Sequence, residues 1–80
     1  MTIAHLEKAE WHVAEGERRI AYHWKIVAAL KRRSGDRDKL RTSQALLQTL
    51  ELAQQFNVAY RDRLRAEIAE SERATEAALP

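Results

Sequence analysis

The chain has 80 residues, no cysteine, one proline and 32% charged residues. That length allows one domain with a modest core, which normally needs a disulfide, a metal or a partner chain for added stability. The missing cysteines remove disulfides, thiolate catalysis and cysteine-ligated zinc. A formal net charge of +2 is too small an excess to mark a nucleic-acid binder.

The opening MTIAHLEKAEWHV has neither a basic start nor an apolar run, so no signal peptide is expected. No stretch approaches the roughly 18 apolar residues that cross a bilayer, so the expectation is a soluble cytoplasmic protein without a membrane partner.

The first predicted helix spans about residues 3–33. It is free of proline and rich in Ala, Leu, Glu and Arg, the residues that lose least on becoming helical. Ile3, Leu6, Glu10, Val13, Glu17, Ile20, Trp24 and Val27 recur at alternating steps of three and four. At about 100° per residue they form one stripe, with Ala9, Gly16 and Leu30 along its flank.

The helix breaks at Ser34-Gly35-Asp36, within a turn expected over residues 34–37. Gly35 suits a left-handed position, and Asp36 or Asp38 can cap the second helix. Lys31, Arg32 and Arg33 before the break, and the two aspartates after it, each match the sign of the nearby helix dipole.

The second predicted helix runs over about 38–77, with a stripe through Leu46, Leu47, Leu50, Ala53, Asn57, Tyr60, Leu64 and Ile68. So short a connection makes the helices antiparallel neighbours. The expected fold is all-α: residues 1–80 as a single antiparallel two-helix hairpin, a coiled-coil-like unit dimerising into a four-helix bundle. Folding about residue 35 sets Trp24 near Leu47, Val13 near Asn57 and Leu6 near Leu64. It also predicts a Glu10–Arg61 or Glu17–Arg61 pair at the edge of the seam. The stretch ESERATEAALP is expected to overhang helix 1 and fray.

Candidate chemistry is sparse. His5 and His12 stand two helical turns apart, too far to share a metal, and no Glu-x-x-His pair is present. His12 with Glu15 is the one His/Glu pair at i+3, and nothing on helix 2 completes it, so no metal or cofactor site is expected. No nucleophile, base and orienting group can be named together, so the chain is not read as an enzyme.

Glycine inside a helix costs about 1 kcal/mol against alanine. Gly16 is therefore read as a place where a bulky neighbour approaches closely, with Tyr60 or Phe56 of helix 2 or of a second chain as the filler. Trp11, Tyr22 and Ile26 lie roughly opposite the main stripe, and Leu52, Phe56 and Ala59 lie off the second one. A two-helix hairpin has a single seam, so these side chains point to an interface. The expected interface set is Trp11, Gly16, Tyr22, Trp24, Ile26, Leu52, Phe56 and Tyr60.

The tip, KRRSGDRDKLR, carries six cations against two aspartates, a net +4 over residues 31–41. Residues 66–80 carry four glutamates against one arginine, a net −3. Arg32, Arg33, Arg37 and Arg41 could hold an anion, but the tip has no aromatic for bases to stack on and no glycine-rich phosphate cradle. A solvated tip is the favoured reading, and nucleic acid the disfavoured partner.

The opening HLEKAEWHVAEGERRI, with His5-Leu6, Ala9-Glu10, His12-Val13, Gly16-Glu17 and Ile20, resembles a group of small bacterial proteins that share HLxxAExHVxxGExxI near the N-terminus. A looser likeness covers LLQTLE at Leu46 to Glu51 and RDRL at Arg61 to Leu64. The resemblance implies a short, cysteine-poor helical hairpin and brings no catalytic or binding residue with it. Two positions depart from the pattern: Asn57 stands where those proteins often have histidine, and Trp11 where they usually have a basic residue. The sum of these expectations is a non-enzymatic interaction or regulatory protein that acts as a homodimer or on another protein. The alternative is anion or nucleic-acid binding through the tip.

Overall fold

The computed structural model describes residues 2–33 and 35–79. Two helices, α1 (Ile3–Arg32) and α2 (Arg37–Ala78), pack against each other, and no strand occurs among the described residues. The hairpin is a rod, 71 × 14 × 14 Å by its Cα atoms.

Both helices begin on a side-chain cap. At α1 the Thr2 N–H donates to His5 Nδ1 at 3.3 Å, and Thr2 Oγ1 stands 2.8 Å from the same nitrogen. The imidazole thus takes the part that glutamate has in a capping box. At α2 the Lys39 N–H donates to Asp36 Oδ1 at 3.2 Å, and Lys39 Nζ lies 3.6 Å from Asp36 Oδ2. Asp36 is therefore the cap, and Asp38 sits in the first turn as a dipole partner.

Gly35 has φ +154°, a region in which side chains beyond glycine are strained. Ser34 of the predicted turn lies outside the described residues. The boundaries differ by a residue from the sequence expectation: α1 ends at Arg32 and α2 starts at Arg37.

The deepest burial follows a seven-residue repeat. In α1 the buried or half-buried positions include Leu6, Val13, Ile20 and Val27 in one column and Ala9, Gly16, His23 and Leu30 in the next. In α2 the matching columns are Leu40, Leu47, Gln54, Arg61 and Ile68, and Ser43, Leu50, Asn57 and Leu64. This is the a/d pattern of a coiled coil, in which slight under-winding keeps every seventh residue at the seam. Among the described residues five side chains are buried: Ala9, Val13, Val27, Leu47 and Leu64.

The predicted stripes are therefore corrected by one column on each helix. Glu10, Glu17 and Trp24 of the α1 stripe are exposed, as are Leu46, Ala53 and Tyr60 of the α2 stripe. Their places in the seam go to Ala9, Gly16 and His23 on one side and to Leu40, Gln54 and Arg61 on the other. The predicted register pair is corrected with them. Arg65 Nη2, not Arg61, reaches Glu10 Oε1 at 3.3 Å, while Arg61 pairs with Asp62 at 3.0 Å. Past Ile68, α2 stays helical to Ala78, and every side chain from 69 to 79 is exposed, as the expected overhang requires.

Candidate interaction surface

A rod built from two helices has two broad sides, one on each flank of the seam. In an antiparallel coiled coil the columns next to the seam meet their own kind across it. On one side these are Glu10, Glu17 and Trp24 of α1 with Gln44, Glu51, Val58 and Arg65 of α2. The Glu10–Arg65 pair bridges them, and Trp24 shares a groove with Gln44, Gln48 and Glu51. Apart from Ile3, Trp24, Val58, the edge of Ile20 and a row of alanines, this side is polar.

The other side is different. Its columns hold His12, Arg19 and Ile26 on α1 and Leu46, Ala53 and Tyr60 on α2, flanked further out by Tyr22 and Phe56. Phe56 is 77% exposed, Tyr22 61%, Leu46 45% and Tyr60 42%. Arg63 covers part of the Tyr60 ring, its guanidinium carbon 5.4 Å from the ring centre.

Near the middle of this side Gly16 leaves a shallow notch, rimmed by Trp11, His12, Arg19, Leu50 and Ala53. The floor of the notch is not foreseen by the sequence reading. Gln54 reaches across the seam, its Nε2 donating to the Val13 carbonyl at 2.8 Å, and Asn57 Nδ2 donates to Gln54 Oε1 at 3.4 Å. A Cβ built on Gly16 would overlap Gln54 Oε1. The close neighbour expected at Gly16 exists, but within this chain it is an amide and neither Tyr60 nor Phe56. A seven-residue count from Leu47 points to Gln54; its polarity hides it.

The predicted interface residues are thus divided. Tyr22, Ile26, Phe56 and Tyr60 share the apolar side, with Trp11 and Gly16 at the notch. Trp24 stands on the opposite side, and Leu52, 58% exposed, on the outer back of α2.

The histidines are dispersed. His5 caps α1, His12 meets the Trp11 ring edge-on with centroids 5.1 Å apart, and His23 lies half-buried in the seam beside Tyr22. Among the described residues no group of three His, Cys, Asp or Glu side chains is placed to hold a metal ion. Glu15, at the notch rim, is bonded by Arg18 at 2.6 Å, with Arg19 at 3.8 Å. The Arg18 hydrogen bond, helped by the charges of Arg18 and Arg19, holds its carboxyl below the ordinary glutamate range.

At the tip Arg32, Arg33, Arg37 and Arg41 are all exposed, and none forms an ion pair among the described residues. No described helix is long and apolar enough to cross a membrane. The chain matches no family model, no curated protein and no solved structure.

Proposed function

We propose that the chain is a non-enzymatic interaction protein that works by self-association, two hairpins joining through the apolar side into a four-helix bundle. The observation that carries this reading is the surface the hairpin leaves in water. A compact monomer of 9.3 kDa exposes about 5,000 Å² by the usual size scaling, whereas this chain exposes 6537 Å². The surplus is larger than the roughly 800 Å² that each partner buries in a standard interface.

The distribution of side chains supports the same reading. Gln54, Asn57 and Arg61 occupy the α2 seam while Leu46, Ala53, Phe56 and Tyr60 stand outside it. A helix that keeps several large apolar side chains outside its seam gains by docking them elsewhere. Sedimentation equilibrium over a wide concentration range tests the proposal. A dimer is expected, and Phe56→Ala combined with Tyr60→Ala should weaken it while leaving helix content intact. A mass of one chain at every concentration overturns it.

A second reading rests on the tip, whose four arginines carry no ion pair among the described residues. Unneutralised cations at the end of a rod can hold phosphate groups. Retention on nucleic acid that falls steeply with salt would favour this reading; weak retention with little salt dependence would remove it.

A further inference from the structure

The two ends of the rod carry opposite charge. At the tip, Lys31, Arg32, Arg33, Arg37, Lys39 and Arg41 outnumber Asp36 and Asp38, a net +4; at the open end Glu67, Glu70, Glu72 and Glu76 outnumber Arg73, a net −3. All ten of these cations and glutamates that set the two signs are exposed. On one chain the ends cannot neutralise each other. The rod is 71 Å long, and charges in physiological salt are screened over about 8 Å.

The apolar side lies between these ends, at mid-length. Pairing across the seam places Ile3 beside Ile68 and Ser71, Val13 beside Gln54, and Leu30 beside Ser43. By that register Tyr60, Phe56, Ala53 and Leu46 spread over the levels of about residues 13 to 27 of α1, with Tyr22 and Ile26 among them, centred close to Arg18 to Ile20. From the level of Arg18, a rise of 1.5 Å per residue gives about 21 Å to Arg32 and about 23 Å to Ile3, where Glu67 and Glu72 stand.

We propose that the occupant of the apolar side is a second copy of this chain lying antiparallel to the first. The two-fold axis crosses near Arg18, and each basic tip lies beside the other copy's acidic open end. The proposal rests on the self-association reading above and adds to it the partner's orientation.

A two-fold axis at that level lays the apolar side on itself, as an isologous contact requires. The near-equal distances to tip and open end then bring +4 against −3 at both ends of the dimer. The parallel arrangement would bury the same apolar side but set +4 against +4 and −3 against −3. Like charges brought together in this way are a recognised device against the wrong pairing.

The chain has no cysteine, so a single spin label can be placed by Ala74→Cys, an exposed position on the acidic arm. Pulsed dipolar spectroscopy should then read one distance between copies of about 55 Å, twice the axial separation from Arg18 to the level of residue 74. A distance under about 30 Å means parallel copies and overturns the orientation while leaving self-association standing. No dipolar coupling between copies at a concentration where sedimentation gives one chain overturns both.

Charge reversal is the second arm. Glu70→Lys with Glu72→Lys should raise the dimer dissociation constant about tenfold at low salt, with little effect at 0.5 M salt or above. Adding Arg33→Glu and Arg37→Glu to the same chain should restore it. Equal weakening at all salt concentrations, or no recovery in the four-site variant, removes the electrostatic part of the proposal.

Discussion

Gln54 Nε2 donates to the carbonyl oxygen of Val13, 2.8 Å away on the facing helix, and Gln54 Oε1 lies where a side chain on Gly16 would begin. Glycine at 16 is thus tied to glutamine at 54. Gly16→Ala gains about 1 kcal/mol of helix propensity and displaces a hydrogen bond of similar worth. Its net effect should therefore fall within about 0.5 kcal/mol of zero. In a Gln54→Ala background the same change should stabilise by about 1 kcal/mol. Urea unfolding of the four proteins closes the cycle; a full gain from Gly16→Ala in both backgrounds would show that the two residues are uncoupled.

Leu64 is 0% and Leu47 4% exposed, and only five side chains among the described residues are buried. With so small a core among the described residues, Leu64→Ala or Leu47→Ala should cost about 2–5 kcal/mol, enough to unfold much of the population at 25 °C. Leu52→Ala, on the outer back of α2, should stay within about 0.5 kcal/mol. Thermal melts followed by circular dichroism distinguish them, and similar losses at all three positions would contradict this seam.

The turn depends on Gly35, whose φ of +154° strains any L side chain although open space surrounds the position. Gly35→Ala should destabilise by about 1–2 kcal/mol through backbone conformation alone, with no change in helix–helix contacts. An unaltered melting temperature would mean that the turn readily adopts another path.

Arg61 sits in the seam with its side chain 21% exposed, whereas Arg65 lies at the edge, 52% exposed, against Glu10. Replacing the seam cation by an apolar residue extends the apolar column, so Arg61→Leu should stabilise by about 1 kcal/mol. Arg65→Ala should cost less than about 0.5 kcal/mol, and nothing measurable in high salt. Chemical denaturation at two salt concentrations checks both; a larger, salt-dependent loss for Arg61→Leu would give the register-setting role back to Arg61.

Glu15 has its carboxyl held below the ordinary range by Arg18, so its ionised form binds protons less readily in the folded chain than in the unfolded one. Its contribution to stability is therefore present above the ordinary glutamate value of about 4.3 and is lost as pH falls through the lowered value. The melting temperature of Glu15→Gln should lie below that of the parent at pH 7, with the gap closing in acid. A gap that is constant with pH would assign the effect to packing.

Much of the architecture can be read directly from the chain. Helix formers without interior proline, a single break at Gly35, aspartates after it and cations before it specify two antiparallel helices on local grounds. Gly16 is likewise visible as a helix position needing a reason. The choice of seam column is not visible. Trp24, Leu46, Ala53 and Tyr60 are more apolar than His23, Gln54 and Arg61, so a ranking by hydrophobicity places the wrong residues inside. The apolar side is foreseen only in part for the same reason: Leu46 and Ala53 rank as core by that measure.

What the sequence by itself determined is the hairpin, because propensity, capping and turn chemistry act between residues a few positions apart. What only the tertiary structure decided is which column of each helix faces the other, and with it the Gln54–Val13 bond, the Glu10–Arg65 pair and the exposed aromatic side. A straight helix drifts about 20° per seven residues against a strict heptad, so over four heptads the facing column shifts by most of a quarter turn. Only mutual winding of the two helices selects one column along the whole length, and that is a property of the pair.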